Sequence, residues 1–323
     1  MKAIVQDAYG SADVLQLRDI EKPVPGDGEV LIRVRAAGVD QGVWHLMTGM
    51  PYLLRIFGYG LKKPKVPVRG REVAGVVETV GNGVTRFQPG DEVYGTCEGS
   101  FAEYVCAKEE RLALKPASLT FEQAAAVPIS AVTALQAVRD SGQVAPGQKV
   151  LIIGAGGGVG SFAAQLAKAY GAEVTGVCST AKVELVRTLG ADYVIDYTQD
   201  DFASAGKHYD VILDTAGNRP LSVLRRALTP QGTLVIVGGE GGGKLTGGFE
   251  RSLGAPVLSL FGSQKLKGLV SGENHPDLEY LTSLIEAGSV KPAVDKVYPL
   301  VEAPAAITYM HEARARGKVV VSV

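Results

Sequence analysis

The chain has 323 residues, 46% apolar and 21% charged, with a formal net charge of -1. The length exceeds what one hydrophobic core usually organises, so two domains are expected, and the balanced charge gives no overall field that would make a nucleic acid or a membrane surface a partner. Met1 to Tyr9 lacks the apolar stretch of a signal peptide and no later run approaches membrane-spanning length, which gives a cytoplasmic expectation.

From Met1 to about Leu114 short strand-like runs are broken by Gly, Pro and Asp. In Gly28-Glu29-Val30-Leu31-Ile32-Arg33-Val34-Arg35, the residues Val30, Ile32 and Val34 share one face of a strand. Val73 to Val80 is a second run, closed by Gly81-Asn82-Gly83, and Gln88-Pro89-Gly90-Asp91 turns the chain into Glu92-Val93-Tyr94. An antiparallel β domain follows from this pattern. Phe121 to Val138 is an Ala-rich helical region around Pro128, after which strands alternate with helices. The strand candidates are Lys149 to Ile153, Glu173 to Val177, Tyr193 to Asp196, Val211 to Asp214, Thr233 to Val237 and Val257 to Phe261. Helical segments fall at Val159 to Tyr170, Ala181 to Leu189 and Leu221 to Leu228. Six strands with helical crossovers predict an α/β domain with a doubly wound parallel sheet. The tail offers helices at Asp277 to Glu286 and Ala303 to Arg314 and a strand at Lys318 to Val323, too little for a core of its own, so it is expected to return to the N-terminal domain. The domain division is therefore 1–122 with 268–323, and 123–267. Cys97, Cys106 and Cys178 suit neither a disulfide framework nor a metal knuckle and read as inert thiols.

Gly154-Ala155-Gly156-Gly157-Gly158-Val159-Gly160 follows an apolar strand and opens a helix. Glycines there permit positive backbone dihedrals and close approach of a pyrophosphate, whose charge meets free N–H groups and the helix dipole. The first glycine of the G-x-G-x-x-G pattern is replaced by Ala155, and a plain strand-to-helix turn is the alternative. About 20 residues on, where an acid would bind a ribose diol, stand Ser179, Thr180 and Lys182. Two hydroxyls and an amine suit a 2'-phosphate, so NADPH is the expected cofactor. The alternative makes Ser179 or Thr180 a helix cap and Lys182 a solvated charge.

The order of domains and several motifs together resemble the medium-chain dehydrogenase/reductase superfamily over nearly the full length. These motifs are Ala36-Ala37-Gly38-Val39, Gly70 to Val77, Gly90-Asp91-Glu92-Val93, Ser100 to Tyr104, Ala124 to Leu135 and Gly317-Lys318-Val319-Val320. The resemblance implies a GroES-like antiparallel β domain beside the Rossmann domain. Zinc alcohol dehydrogenases of that superfamily carry Cys where this chain has Asp40, a His-Glu pair where it has Arg71-Glu72, and a further Cys in the region Ile129 to Val132. The structural zinc lobe is absent too, since Val93 leads almost directly to Phe101. The chain therefore resembles the zinc-independent quinone oxidoreductase branch, with no metal expected.

That branch implies hydride transfer from the nicotinamide to a quinone or an activated alkene, hence a small apolar electrophilic substrate. Charge developing on the acceptor oxygen then needs hydrogen-bond donors. Tyr52 is the first candidate donor and His45 the second, although the hydroxyl that would link His45 to substrate is replaced by Gly42. A structural His45 is the competing reading, while Asp40 completes the catalytic candidates. Arg71 is expected to pair with Glu72 or Asp40 in a structural role. The stretch Pro51 to Pro67, with Tyr52, Leu53, Leu54, Ile56, Phe57, Tyr59 and Leu61 before Lys62, Lys63 and Lys65, reads equally as a substrate lid or as a turn burying its aromatics. By resemblance, Tyr197 flanks the 2'-phosphate, Val237-Gly238-Gly239 and Phe261-Gly262 are strand ends near the coenzyme, and Lys318 is a coenzyme contact. The run Val257 to Phe261 would be the sheet's edge strand, available to pair with a second copy in a homodimer. An enoyl-thioester reductase, drawing on Lys62, Lys63 and Lys65, and a non-catalytic NADPH-binding redox sensor are the alternatives.

Overall fold

The computed structural model describes residues 1–323 apart from 204–205, 207, 218, 239–242 and 260–261, and apart from the side chains at 57, 58, 249 and 253. The chain divides into two compact units, Met1–Val132 with Glu273–Val323, and Thr133–Gly272. Both divisions fall later than the expected 122/123 and 267/268, because the helix after Pro128 is shared across the first one.

In the first unit, β1 (Lys2–Val5) and β2 (Gln16–Asp19) form a small hairpin-like pair. The long strand β3 (Glu29–Val39) leads through α1 (Gln41–Thr48), α2 (Tyr52–Leu54) and a π-helical turn at Arg55–Tyr59. Then come β4 (Glu72–Val80), β5 (Glu92–Thr96), β6 (Tyr104–Lys108), β7 (Leu112–Leu114) and α3 (Phe121–Ala125). Val30, Ile32 and Val34 are buried together with Val73, Val77, Val93 and Leu112, which is why these apolar alternations become strands. Thr120 starts α3 with a reciprocal cap: its hydroxyl accepts from Gln123 N while Gln123 Oε1 accepts from Thr120 N.

The helix α4 (Pro128–Gln136) leads into the second unit. There β8 (Lys149–Ile153), α5 (Gly158–Ala169), β9 (Glu173–Cys178), α6 (Val183–Thr188), β10 (Tyr193–Asp196), β11 (Tyr209–Asp214), α7 (Leu221–Ala227), β12 (Leu228–Ile236), α8 (Phe249–Ser259) and β13 (Lys265–Gly268) follow. Among the described residues the strands form one parallel sheet in the order β10-β9-β8-β11-β12-β13. A parallel sheet covered on both faces needs near-continuous apolar strands, and Val150, Leu151, Ile152 and Ile153 are all buried. The order reverses next to β8, so the chain crosses over there and leaves a crevice beyond the strand's carboxyl end.

One strand is not where it was expected. Val257 to Ser259 belongs to α8, with Val257 55% exposed, and the edge strand is the short Lys265-Leu266-Lys267-Gly268. The chain then returns to the first unit through α9 (His275–Glu286), β14 (Val294–Pro299), α10 (Ala303–His311) and β15 (Lys318–Ser322). Strand β15 pairs antiparallel with β3, with Val319 opposite Val39 and Val321 opposite Ala37. Val39, Val43, Met47, Phe101, Ile307, Val319 and Val321 share one core cluster. Each such fully buried aliphatic side chain is worth roughly 1.5–3 kcal/mol, which fixes the tail on this unit.

Candidate functional site

The glycine turn is built by β8 and α5. Gly154 has φ 88°, and the amides of Gly154 and Ala155 both donate to Val177 O at 3.0 Å, which bends the chain over the end of β9. A Cβ on Gly160 would stand 2.1 Å from Gly154 O, so helix and turn touch backbone to backbone there. Gly157 is the helix N-cap and has no capping side chain, which leaves the first-turn amides of Gly158, Val159 and Gly160 for an anionic ligand. Ala155 is fully buried beside Gly176, and a Cβ on Gly176 would lie 3.0 Å from its Cβ, so alanine fits where the motif has glycine.

A Cβ on Gly156 would meet Lys182 Cβ at 2.7 Å and Cδ at 2.8 Å, so the stem of Lys182 lies across the turn. Ser179 is the N-cap of the 3-10 turn Thr180–Lys182 and makes no side-chain cap bond. Thr180 behaves differently from its expected role. Its hydroxyl donates to Asp196 Oδ2 at 2.5 Å, and Asp196 Oδ1 accepts from Thr198 N and Thr198 Oγ1. These bonds, led by that from Thr180, hold the Asp196 carboxyl below the usual carboxylate range. The parallel register sets Asp196 opposite Cys178, which brings an acid from the third strand beside a position where the second strand has none. Thr180 is therefore engaged with Asp196, a partner that the sequence reading did not give it.

Tyr197 is 58% exposed and lines a cavity of about 310 Å³ with Ile153, Gly154, Val177, Phe202, Ala216 and Arg219. Arg219 escaped sequence reasoning: it donates to Asp201 Oδ1 at 2.9 Å and its guanidinium lies 5.4 Å from the Phe202 ring centroid. A lone arginine in the loop after β11 carries no motif that would have singled it out. At the neighbouring strand end, Val237 N and Gly238 N donate to Asp214 O at 2.9 and 3.1 Å, and a Cβ on Gly238 would lie 2.4 Å from Thr215 O. Phe261 and Gly239 lie outside the described residues.

In the first unit Asp40 caps α1, its Oδ1 accepting from Gly42 N at 2.6 Å, while Oδ2 is buried with no partner. His45 stands in the last turn of α1, with Nδ1 2.8 Å from Met50 O. This contact is of the kind that the structural reading of His45 expects. Tyr52 is 42% exposed and lies under the Arg55 guanidinium at 4.8 Å. Arg55 also sits 4.3 Å from the Tyr9 ring and donates to Gly49 O and Thr48 O at 2.8 and 3.2 Å, and Tyr9 Oη donates to Tyr59 O and Gly60 O. The loop is thus pinned by polar contacts, and Ile56 and Leu61 are 68% and 69% exposed rather than buried.

Two charged residues have partners that the sequence alone did not give them. Lys318 is 2% exposed, its Nζ donating to Glu72 Oε2 at 2.5 Å and Ser130 Oγ at 3.1 Å. It is a buried partner of Glu72. Arg71 pairs with Glu273 instead of Glu72, because Lys318 already occupies Glu72 and Ile129 N donates to its other oxygen at 2.9 Å. Burial raises the Glu72 carboxyl above the ordinary range, an effect that Lys318 partly offsets. For Arg71, burial opposes the charge, but Asp40, Glu273, Tyr59 and Glu72 more than compensate and raise the guanidinium above its ordinary value. Zinc would find one oxygen of Asp40 beside two resident cations, and among the described residues no cluster of His, Cys, Asp and Glu is arranged to hold a metal.

Residues 26–117 match the alcohol dehydrogenase GroES-like domain family, and residues 189–321 match the zinc-binding dehydrogenase family. The chain is 32% identical over 342 residues to the chloroplastic quinone-oxidoreductase QR1 of Triphysaria versicolor, covering 99% of this chain and 98% of the relative. It is 35% identical over 340 residues to the chloroplastic NADPH-dependent alkenal/one oxidoreductase of Arabidopsis thaliana, covering 99% of this chain and 79% of the relative. A solved structure of mycobacterial Rv1454c complexed with NADPH superposes with a TM-score of 0.85 at 28% identity, over 100% of both chains. The chain belongs to the medium-chain dehydrogenase/reductase family, in its quinone oxidoreductase branch.

Proposed function

We propose that this protein is an NADPH-dependent reductase of quinones or α,β-unsaturated carbonyl compounds that works without zinc. The observation that carries the reading is the turn at Gly154 to Gly160, with unclaimed helix amides at one end and the Lys182 stem laid over Gly156. Amides of the first turn would receive the pyrophosphate, and Lys182 with Ser179 would receive the 2'-phosphate, a charge-assisted contact. The names of the Arabidopsis relative and of the mycobacterial complex support the phosphorylated coenzyme. When bound, the coenzyme supplies the hydride that the acceptor receives.

Zinc independence is supported by the donor set. Asp40, Arg71 and Glu72 offer no thiolate or imidazole, and Lys318 already neutralises Glu72. A thioester acceptor is a second reading, favoured by the exposed Lys62, Lys63 and Lys65 beside Leu61. The discriminating experiment follows NADPH oxidation with quinones, enals and enoyl-CoA esters, alongside elemental analysis. Turnover with quinones or enals by metal-free protein is expected. Stoichiometric zinc, or turnover confined to the CoA esters, would contradict it. A homodimer pairing along β13 is also proposed, since among the described residues it is the edge strand of the sheet.

A further inference from the structure

Asp196 closes β10 in the second unit, and its carboxylate is fully engaged by neighbours from that unit. Oδ1 accepts from Thr198 N at 3.0 Å and Thr198 Oγ1 at 2.8 Å, and Oδ2 accepts from Thr180 Oγ1 at 2.5 Å and Gln199 Nε2 at 3.2 Å. An ionised carboxylate offers about four lone-pair positions, and these donors fill them. Asp196 is thus no acceptor for a ribose 2'-hydroxyl, although the register sets it beside Cys178 at the end of β9. The same net commits the proton of Thr180. The Thr180 and Thr198 hydroxyls lie 3.0 Å apart, and each carries a single proton. Their contacts with the carboxylate are shorter and charge-assisted, so both protons point to Asp196 and Thr180 shows only lone pairs to other groups. Lys182, whose stem crosses Gly156, belongs to the same 3-10 turn as Thr180. Asp196 and Lys182 also act with opposite sign on one thiol: burial pushes Cys178 up to about 11, Asp196 adds to that, and Lys182 and Arg187 oppose it. A fixed anion and a cation therefore both act within reach of the turn that follows β9.

We propose that Asp196 is a specificity-determining residue of the coenzyme site that works against the phosphate. It claims the Thr180 proton and sets a fixed negative charge behind the turn, so the preference for NADPH over NADH rests on Lys182 with Ser179. That preference stays below what Ser179, Thr180 and Lys182 would give without the acid. The role rests on the NADPH reading above. A phosphate monoester carries about 1.5–2 negative charges near neutral pH, and its oxygens are strong acceptors. Against it Thr180 offers an acceptor where a donor is needed, and the carboxylate behind adds like-charge repulsion. NADH has a hydroxyl at that position and escapes the repulsion. In Asp196→Asn both effects reverse. The negative charge goes, and the side-chain amide can donate to Thr180 Oγ1, which turns the hydroxyl proton outward to the phosphate. In the wild type the bond from Thr180, first among several, holds the Asp196 carboxyl low, so its charge persists at neutral pH.

The test is fluorescence titration of wild type, Asp196→Asn, Thr180→Val and the double variant with NADPH and with NADH. Asp196→Asn is expected to tighten NADPH about tenfold, the scale of one hydrogen bond to a charged group, and to leave NADH within about twofold. Thr180→Val alone is expected to leave NADPH within about twofold, whereas in the Asp196→Asn background it should remove a large part of the gain. A merely structural role for the net moves both coenzymes together and gives no such coupling. Added salt should narrow the difference between Asp196→Asn and wild type, since charges near the surface are screened. Weaker or unchanged NADPH binding in a folded Asp196→Asn protein overturns the assignment. So does a loss of about tenfold for NADPH in Thr180→Val alone, a result that decides the matter even if Asp196→Asn fails to fold. The NADPH reading is judged separately by Lys182→Glu. If that change weakens both coenzymes alike, the reading fails; if it acts on NADPH alone while Asp196→Asn moves both coenzymes equally, only the role of Asp196 fails.

Discussion

At the residue scale the most exposed assignment is Lys182, because its stem crosses Gly156 whereas its amine must find the 2'-phosphate. Charge-assisted bonds are worth about 1.5–3 kcal/mol, so Lys182→Glu should weaken NADPH by roughly ten- to a hundredfold and leave NADH little changed. Fluorescence titration with both coenzymes checks this; equal losses for the two would show that Lys182 does not read the phosphate. The Glu72–Lys318 pair makes a different demand. Both side chains are almost wholly buried, and removing one partner strands the other charge. Lys318→Met should cost about 3–5 kcal/mol in urea unfolding, and adding Glu72→Leu should recover most of it. These two residues also mark what motifs leave out. Lys318 sits in a recognisable stretch, but its partner comes from the other end of the chain and becomes visible only when β15 lies down beside β3.

At the scale of elements, strong periodicity was legible and polar edges were not. Strands β8, β9, β10 and β11 and helix α5 fall within a residue or two of their expected places because their apolar runs have no competing use. The run Val257 to Phe261 is equally apolar, yet its described part is helical. A short apolar run does not choose between the two states by itself, whereas the true edge strand has Leu266 as its sole large apolar residue. Asp196 escaped notice for a related reason: register, not spacing, sets it beside Thr180. Another acid ties the elements of this unit together. Asp192 accepts from Lys168 Nζ on α5 at 2.8 Å and from Val174 N on β9 at 2.7 Å. Burial works against its charge, but these bonds prevail and lower its carboxyl below the ordinary value. A carboxyl lowered in the folded state contributes stability that is present above its unfolded pKa and lost as pH falls through the folded one. Asp192→Asn should therefore flatten the acid side of the stability profile from the ordinary carboxylate range downward; an unchanged slope in pH-dependent urea melts would contradict this.

On the scale of the whole molecule, the two units differ in sheet type and in the charges they hold. The second unit presents the glycine turn proposed to receive the coenzyme phosphates on a parallel sheet, and the first holds Asp40, Arg71, Glu72 and Lys318 in a net of compensated charge. The division into an antiparallel and a parallel unit was legible from patterning, because the two sheet types demand different apolar periods. The pairing of Arg71 was not, since Glu273 enters from a segment far along the chain with no motif of its own. The most direct measurement of the central claim uses chelator-treated protein and NADPH deuterated at the transferable position of its nicotinamide, with an enone as acceptor. The expected result is deuterium on the β-carbon of the product and a rate that zinc does not raise. Deuterium-free product, or a rate abolished by chelation and restored by zinc, would contradict it.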